Sequence, residues 1–176
     1  MSIKFLLTDF HGTIVDSNSA WIKAYLNLGV QNIEDITTQV YQKQSREKLA
    51  LYYNIDYSLL LDEYRKNLHV RPDVISLIHA IHGNDNIIIL SNSSKEKLYK
   101  DIEQVQAEHD LKFSFVYSKE DGNKNDALFI DELCSKHNIT KAYMLGNDIR
   151  EDLVINDNIT NIFIPYKQSI LLNKNI

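Results

Sequence analysis

The sequence predicts an α/β fold, in which a doubly wound, Rossmann-like parallel sheet carries a small all-helical cap insertion. Apolar runs of strand length alternate with helix-like stretches, and one long aromatic-rich interval interrupts that rhythm. The runs are continuously apolar, which is typical of parallel strands covered by helices on both faces. A chain of 176 residues is long enough for one such core with a modest insertion.

Five strands are predicted from the apolar runs. They cover residues 3–8, 86–91, 113–117, 141–145 and 161–164. Because parallel strands need crossover connections, we expect the helical stretches between them to lie against the faces of the sheet.

Three core helices are predicted from the helical spacing of apolar residues and from the residues that flank each stretch. Residues 73–82 carry apolar side chains at helical spacing, and this stretch lies between Pro72 and Gly83. A second helix is expected after Ser94, a residue type suited to capping a helix start. A third is expected over residues 126–136. These helices would supply the crossover connections.

The interval 18–67 departs from the strand-then-helix rhythm, since it is aromatic-rich and helical in pattern throughout. It is too long for a loop. We therefore predict an α/β core at residues 1–16 and 70–176 and a helical cap insertion at 17–69, over the carboxyl ends of the strands. The tail 173–176 is expected to fray.

The composition limits which binding partners and which cellular compartment we expect for the protein. A net charge of −5 argues against a broad nucleic-acid surface, which needs clustered Lys and Arg. No apolar run approaches the roughly 20 residues of a membrane span, and the first apolar stretch is too short for a signal peptide. The single cysteine, Cys134, is expected to be a buried structural thiol in a reduced setting. We expect a cytoplasmic protein without a nucleic-acid or membrane partner; the sequence does not indicate its oligomeric state.

Polar residues cluster at the predicted loops where open parallel sheets place their sites. They are Asp9-Phe10-His11-Gly12-Thr13 after the first strand, Ser91-Asn92 after the second, Lys124 before the third core helix, and Gly146-Asn147-Asp148 with Asp152 after the fourth strand.

These positions resemble the four motifs of the haloacid dehalogenase-like superfamily. The usual forms are Asp-x-Asp-Gly-Thr, an apolar strand ending in Ser or Thr, a Lys, and Gly-Asp with a further Asp. The likeness covers residues 3–164, and the insertion matches the cap that lies between the first and second motifs. The resemblance implies a Mg²⁺-dependent hydrolase of a small phosphorylated metabolite.

The resemblance also implies a role for each matching position. Asp9 would be the nucleophile that forms an acyl phosphate, and Lys124 would hold Asp9 and the transferring group by charge. The residues implied to contact the phosphate are Gly12, Thr13, Ser91 and Asn92. The residues implied to bind the metal are Asp9, His11 through its backbone carbonyl, Asn147 or Asp148, and Asp152. Packing within a small helical bundle is the first expectation for the aromatic residues of the insertion, and Trp21 and Tyr25, early in it, are the candidates for lining the substrate pocket.

The sequence departs from the family pattern at two places. His11 replaces the second carboxylate, which acts as general acid and then base in family phosphatases. An imidazole can do both jobs, but its charged form is disfavoured beside Mg²⁺. The fourth motif reads Gly-Asn-Asp, so either Asn147 or Asp148 must meet the metal. A dehalogenase-type or phosphonatase-type hydrolase and a non-catalytic binding protein therefore stay open as alternatives.

Simpler roles also exist for several of these residues. Ser91 could cap a helix, and Asp152 could merely face one. Lys124 could be a solvated loop lysine, in which case nearby Lys119 would compete for its role. Lysines within the insertion, such as Lys43, are not distinguished by any pattern.

Overall fold

The computed structural model describes residues 5–83, 85–109 and 111–165, and over this part of the chain it shows a five-stranded parallel sheet flanked by helices. The predicted fold class is confirmed. The strands are β1 (Phe5–Thr8), β2 (Ile87–Leu90), β3 (Phe115–Tyr117), β4 (Ala142–Gly146) and β5 (Ile159–Phe163).

The central strand is β1, and the strand order is β3-β2-β1-β4-β5. Leu7 of β1 pairs in register with Ile88 of β2 and with Met144 of β4. The winding direction reverses at β1, so the loops that follow β1, β2 and β4 leave the same edge of the sheet side by side. Such a reversal point is where open α/β sheets form their binding crevice.

The core helices are α5 (Pro72–Ile81), α6 (Lys95–Glu108), α7 (Ala127–His137) and the short α8 (Ile149–Asp152). The first three lie where the periodicity predicts them. The expected capping by Ser94 is wrong: its side chain makes no cap hydrogen bond, and the Glu120 carboxylate accepts the Lys95 N–H at 2.9 Å instead. A distant side chain thus satisfies the helix start in place of the local one.

The insertion folds as four helices, which we call the cap helices: α1 (Ser17–Asn27), α2 (Ile33–Tyr41), α3 (Arg46–Tyr52) and α4 (Tyr57–Lys66). Each follows a polar residue whose side chain accepts a hydrogen bond from the first turn, which explains where each helix begins. These residues are Asp16, Asn32, Ser45 and Asp56. The division into a core and a cap domain stays a prediction.

One hydrophobic core runs from the sheet into the cap helices without a break. Leu6 of β1 and Phe10 of the following loop share it with the fully buried Tyr25 and Tyr64 of the cap helices. The neighbouring Leu7 points to the other face of β1 and packs with the α7 side in a second cluster. The buried side chains of the cap helices therefore belong to the same apolar cluster as those of one face of the sheet.

Three smaller expectations concern the rest of the chain. Cys134 is free and buried, as expected for a structural thiol. The predicted frayed tail, 173–176, and the start of the first predicted strand lie outside the described residues. Within the described ranges, no helix is long and apolar enough to cross a membrane.

Candidate active site

The loop after β1 brings Asp9 to the carboxyl edge of the sheet. The Asp9 backbone N–H donates to the Leu145 carbonyl of β4 at 2.9 Å, which fixes Asp9 between two strands. Gly12 has a φ of +92°, a left-handed conformation that glycine adopts without strain, and its N–H closes the turn onto the Val15 carbonyl. Buried Arg71 donates to the Gly12 carbonyl at 2.8 Å and supports the loop from behind.

Lys124 lies between two buried carboxylates. Its Nζ donates to Asp9 Oδ1 at 2.8 Å and to Asp152 Oδ1 at 2.5 Å, and all three side chains are buried. Lys119, the alternative lysine, is exposed. The structure therefore brings Lys124, and not Lys119, against the predicted nucleophile.

Asp152 is also bound on its other oxygen. Its Oδ2 accepts the backbone N–H groups of Asn147 at 2.7 Å and of Asp148 at 2.9 Å. The adjoining Gly146 has no side chain, and a Cβ there would lie 2.2 Å from the Asp152 Cβ. Glycine at 146 thus makes room for the carboxylate that organises the loop after β4.

Burial dominates the electrostatics of this triad. It raises the pKa of Asp9 to about 6 against the opposing charge of Lys124, and the neighbouring Asp152 charge adds to the rise. Burial alone would lower the pKa of Lys124, but the two carboxylates outweigh it and raise that pKa. One ammonium group is therefore shared by two acids that repel each other.

Asn147 and Asp148 have different surroundings. The Asn147 Oδ1 accepts a hydrogen bond from Thr13 Oγ1 at 3.2 Å, and the same hydroxyl lies 3.4 Å from Asp9 Oδ2. The Asp148 carboxylate binds Lys43 Nζ at 2.8 Å and is also bonded to its neighbour Arg150. The structure therefore brings the amide oxygen, and not the Asp148 carboxylate, to Asp9 through Thr13. The predicted metal-ligand roles of these residues stay predictions.

His11 is held at both ring nitrogens. Its Nε2 lies 2.9 Å from Asp101 Oδ2 and 2.9 Å from Lys97 Nζ, and its Nδ1 lies 3.0 Å from Ser93 Oγ. Burial and the Lys97 charge lower the pKa of His11 to about 4, against the opposing effect of Asp101. The imidazole is therefore neutral near pH 7.

Asp101 of α6 is fully buried, and the sequence did not indicate its role. Its carboxylate also binds Lys97 at 2.6 Å and, from the cap helix α4, Arg65 at 3.2 Å. Burial would raise the pKa of Asp101, but the His11 hydrogen bond and the Lys97 charge lower it to about 2. The i, i+4 spacing of Lys97 and Asp101 indicates an ion pair on α6; no pattern indicates that the pair faces His11.

The residues predicted to bind phosphate differ in exposure. Thr13 and Ser91 are buried, and Ser91 Oγ accepts the Ser93 N–H at 3.2 Å. Asn92 is exposed at the end of β2. Gly12 faces the cleft described below. The phosphate contacts themselves stay predictions.

A cleft of about 460 Å³ separates the β1 loop from the cap helices. His11 and Asn147 line it from the core, and Trp21, Lys43 and Arg46 line it from the insertion. Trp21 therefore lines the cleft, and its predicted contact with substrate stays a prediction. Tyr25 does not line the cleft: it is fully buried in the core that the cap helices share, and its hydroxyl donates to the Arg46 carbonyl at 3.0 Å.

The other histidines show no metal-site geometry. Across residues 5–83, 85–109 and 111–165, no group of three or more His, Cys, Asp and Glu side chains is arranged to hold a metal ion. The described site thus offers oxygen atoms of mixed type and not a carboxylate cluster.

Comparison with solved structures places this arrangement in a known fold. A hydrolase from Streptococcus pneumoniae TIGR4 superimposes with a TM-score of 0.61 at 14% identity, over 93% of this chain and 94% of that one. A dehalogenase gives 0.58 at 17% identity, over 84% and 77% of the two chains. A haloacid dehalogenase-like phosphatase from Thermococcus onnurineus gives 0.55 at 17% identity, over 97% and 90%.

The chain therefore has the fold of the haloacid dehalogenase-like superfamily, as the four motifs indicate. No protein-family model matches the sequence, and no curated protein matches it. The structures that share the fold include both a phosphatase and dehalogenases.

Proposed function

We propose that the protein is a hydrolase of a small phosphomonoester and that Asp9 is its nucleophile. The observation that carries the proposal is that the two oxygens of the Asp9 carboxylate are bonded unequally. Lys124 binds Oδ1 at 2.8 Å, whereas the nearest bonded group of Oδ2 is the weak Thr13 contact at 3.4 Å. Lys124 therefore fixes the orientation of the carboxylate and leaves Oδ2 as its less firmly bonded oxygen.

The surrounding donors fit a Mg²⁺ ion. Asp9 Oδ2 and Asn147 Oδ1 both lie within reach of the Thr13 hydroxyl, and we assign the His11 carbonyl as the third protein ligand. All three are oxygens, and Mg²⁺ is commonly bound through one or two carboxylates together with substrate phosphate and water. When bound, the ion would offset the repulsion between an anionic nucleophile and an anionic substrate. Asp152 is assigned a positioning role, because both of its oxygens are already bonded.

The reaction proceeds in two displacements at phosphorus. A carboxylate oxygen of Asp9 attacks the phosphorus atom, the P–O bond to the alcohol breaks, and the alkoxide leaves with a proton from solvent. Water then attacks the phosphorus of the acyl phosphate, and Asp9 is released with inorganic phosphate. Lys124 stays beside Asp9 throughout and balances its charge.

His11 is better suited to the second displacement than to the first. Since its pKa is lowered to about 4, it holds no spare proton for the leaving group near pH 7. In the tautomer whose Nε2–H is donated to Asp101, Nδ1 carries the lone pair that accepts a proton from the attacking water once the Ser93 hydroxyl, 3.0 Å away, has given up its hydrogen bond. Substrates whose leaving groups need no proton should therefore be hydrolysed fastest.

Turnover of p-nitrophenyl phosphate and of alkyl phosphates with Mg²⁺ tests the proposal. We expect the nitrophenyl ester to be hydrolysed faster, and Asp9→Asn to lower kcat by at least about 1,000-fold, since no weaker nucleophile replaces the carboxylate. Lys119→Gln is the matched control on an exposed lysine and should leave kcat unchanged. If neither ester is hydrolysed, or if Asp9→Asn matches the wild type, the proposal is wrong.

A metal-free dehalogenase is the second candidate. It is favoured by the Asn147 amide at a metal-ligand position and by the histidine at 11, which together leave few anionic ligands beside Asp9. Asp9 would then displace halide from carbon and form an ester that water hydrolyses. Chloride release from 2-chloropropionate in EDTA would support this candidate, and loss of all activity in EDTA would exclude it.

A further inference from the structure

A group of cations surrounds the Trp21 indole inside the cleft. The Arg46 guanidinium carbon lies 5.6 Å from the ring centroid, and Lys97 Nζ lies 6.0 Å from it. Both residues line the cleft, Arg46 from the cap helix α3 and Lys97 from the core helix α6. Tyr64 stacks on Trp21 with centroids 4.0 Å apart, which holds the indole in place.

Arg46 carries a charge that no carboxylate neutralises in the described part of the chain. Its guanidinium donates to the backbone carbonyls of Gln44 at 2.7 Å and Val40 at 3.0 Å, and it forms no salt bridge there. Burial lowers its pKa, which marks a half-buried cation that lacks a matching anion. Buried charges are normally paired, so an external anion is the expected partner.

The neighbouring cations add to this excess. Lys97 and Arg65 share the Asp101 carboxylate, and Arg65 also pairs with the exposed Asp62 at 3.8 Å. The charges of Arg65 and Arg46 oppose Asp101 and, with burial, lower the pKa of Lys97. Lys43 is different, because its charge is balanced by Asp148 and Glu151. The positive excess is therefore local to the region around Trp21.

We infer that Arg46, with Lys97, forms a second anion subsite that binds a carboxylate or phosphate at the far end of the substrate from the scissile phosphoryl group. The inference rests on the proposed function and narrows its substrate class to small phosphomonoesters that carry a second anionic group. A guanidinium binds either anion through paired N–H groups, and the 460 Å³ cleft accommodates a metabolite of this size.

Matched substrates test the subsite by the charge of their far end. One pair is 3-phosphoglycerate and glycerol 3-phosphate, which differ by a carboxylate; the other is propane-1,3-diol bisphosphate and propyl phosphate, which differ by a phosphate. We expect the member with the second anionic group to have a kcat/KM about 10- to 100-fold higher, which is the effect of one or two charge-assisted hydrogen bonds. The pair with the larger ratio identifies which anion the subsite prefers.

Three variants connect that ratio to Arg46. Arg46→Gln should bring the two members of the preferred pair to near equality, whereas Arg46→Lys keeps the charge and should retain part of the preference. Lys23→Gln removes a charge from an exposed lysine of α1 and should leave the ratio unchanged. A wild-type enzyme without preference in either pair, or an Arg46→Gln variant that keeps the full preference, would overturn the subsite.

Fluorescence gives a readout that does not require turnover. Trp21 is the only tryptophan of the chain, so its emission reports ligands at the subsite. In an Asp9→Asn background, 3-phosphoglycerate or the bisphosphate should change this emission at lower concentration than the partner that lacks the second anionic group. If no ester is hydrolysed but this order holds, the proposed function fails and the subsite stands. If esters are hydrolysed and the order is absent, the subsite fails alone.

Discussion

His11 and Asp101 lie 90 residues apart in the chain, and their side chains meet at 2.9 Å between Nε2 and Oδ2. Because Asp101 also binds Arg65, the same carboxylate connects the β1 loop, α6 and the cap helix α4. This one acid therefore sets both the orientation of the imidazole and the position of a cap helix beside it.

Asp101→Asn should destabilise the protein by about 3 kcal/mol, because Lys97 would lose its carboxylate partner and Arg65 would keep only the exposed Asp62. Urea unfolding measures the loss, and hydrogen exchange should rise in α4 and α6. Glu96→Gln breaks an exposed ion pair with Lys100 on the same helix and should change neither measurement. Equal behaviour of the two variants would contradict the role assigned to Asp101.

The pH dependence of stability without Mg²⁺ contains two opposing contributions. The pKa of Asp9 is raised from 3.8 to about 6, so the native state binds a proton between these pH values that the unfolded chain does not. The pKa of His11 is lowered from 6.5 to about 4, so the unfolded chain is protonated first as pH falls. Asp9 therefore favours the folded state on acidification, and His11 disfavours it.

Substituting each residue should uncover the contribution of the other. In EDTA, Asp9→Asn should lose stability more steeply than wild type between pH 6 and 4, by up to about 1.4 kcal/mol per pH unit. His11→Gln should lose it less steeply or gain stability. Both variants keep the charged groups around the two positions, which are Lys124 and Asp152 beside Asp9 and Lys97 and Asp101 beside His11. Urea midpoints across this range check the signs, and parallel curves would refute them.

Asn147→Asp should tighten Mg²⁺ binding by about tenfold or more, because a carboxylate replaces an amide oxygen at the position that Thr13 links to Asp9. Thermal shifts over a Mg²⁺ titration measure the affinity. Asp148→Asn is the comparison, since that carboxylate binds Lys43 and Arg150. It should leave Mg²⁺ affinity nearly unchanged, and a larger effect of Asp148→Asn would reverse the assignment.

Gly146→Ala should abolish turnover, because the new Cβ would lie 2.2 Å from the Asp152 Cβ and 2.7 Å from its Oδ2. Asp152 would shift away from Lys124, and overpacking of this kind costs about 1–3 kcal/mol. Gly29→Ala meets no neighbour but has a φ of +97°, so its cost of about 1–2 kcal/mol is conformational only. Assays should find Gly29→Ala active; activity in Gly146→Ala would show that the loop tolerates the shift.

The sheet and its edge could be predicted because the signals are local. A continuous apolar run such as 86–91 identifies a buried strand, and the polar residues after it must leave at the carboxyl edge. Asp9 and Lys124 could therefore be placed together from motif order. Strand ends were less exact: β3 begins at Phe115, two residues after the start of the predicted run.

The parts that could not be predicted depend on distant contacts. Glu120 serves the start of α6 from 25 residues away, so Ser94 is not needed there. The Arg46 side chain reaches the cleft only through the fold of the cap helices, and the Asp101 carboxylate meets His11 only because α6 packs beside the β1 loop. The choice between Asn147 and Asp148 likewise depended on Lys43, which lies 105 residues from Asp148 in the chain. Short α8 has too few residues for a periodic signal.

The unbroken apolar core that the cap helices share with the sheet limits how this fold can be altered. Phe10 and Tyr64 belong to one cluster. A variant without the cap helices would therefore expose a large apolar surface and should aggregate. Replacing the insertion between residues 16 and 70 would also require substitutions in the strand and loop residues that pack against it. A substitution at the shared core of one segment should therefore destabilise the protein unless a contacting residue of the other segment changes with it.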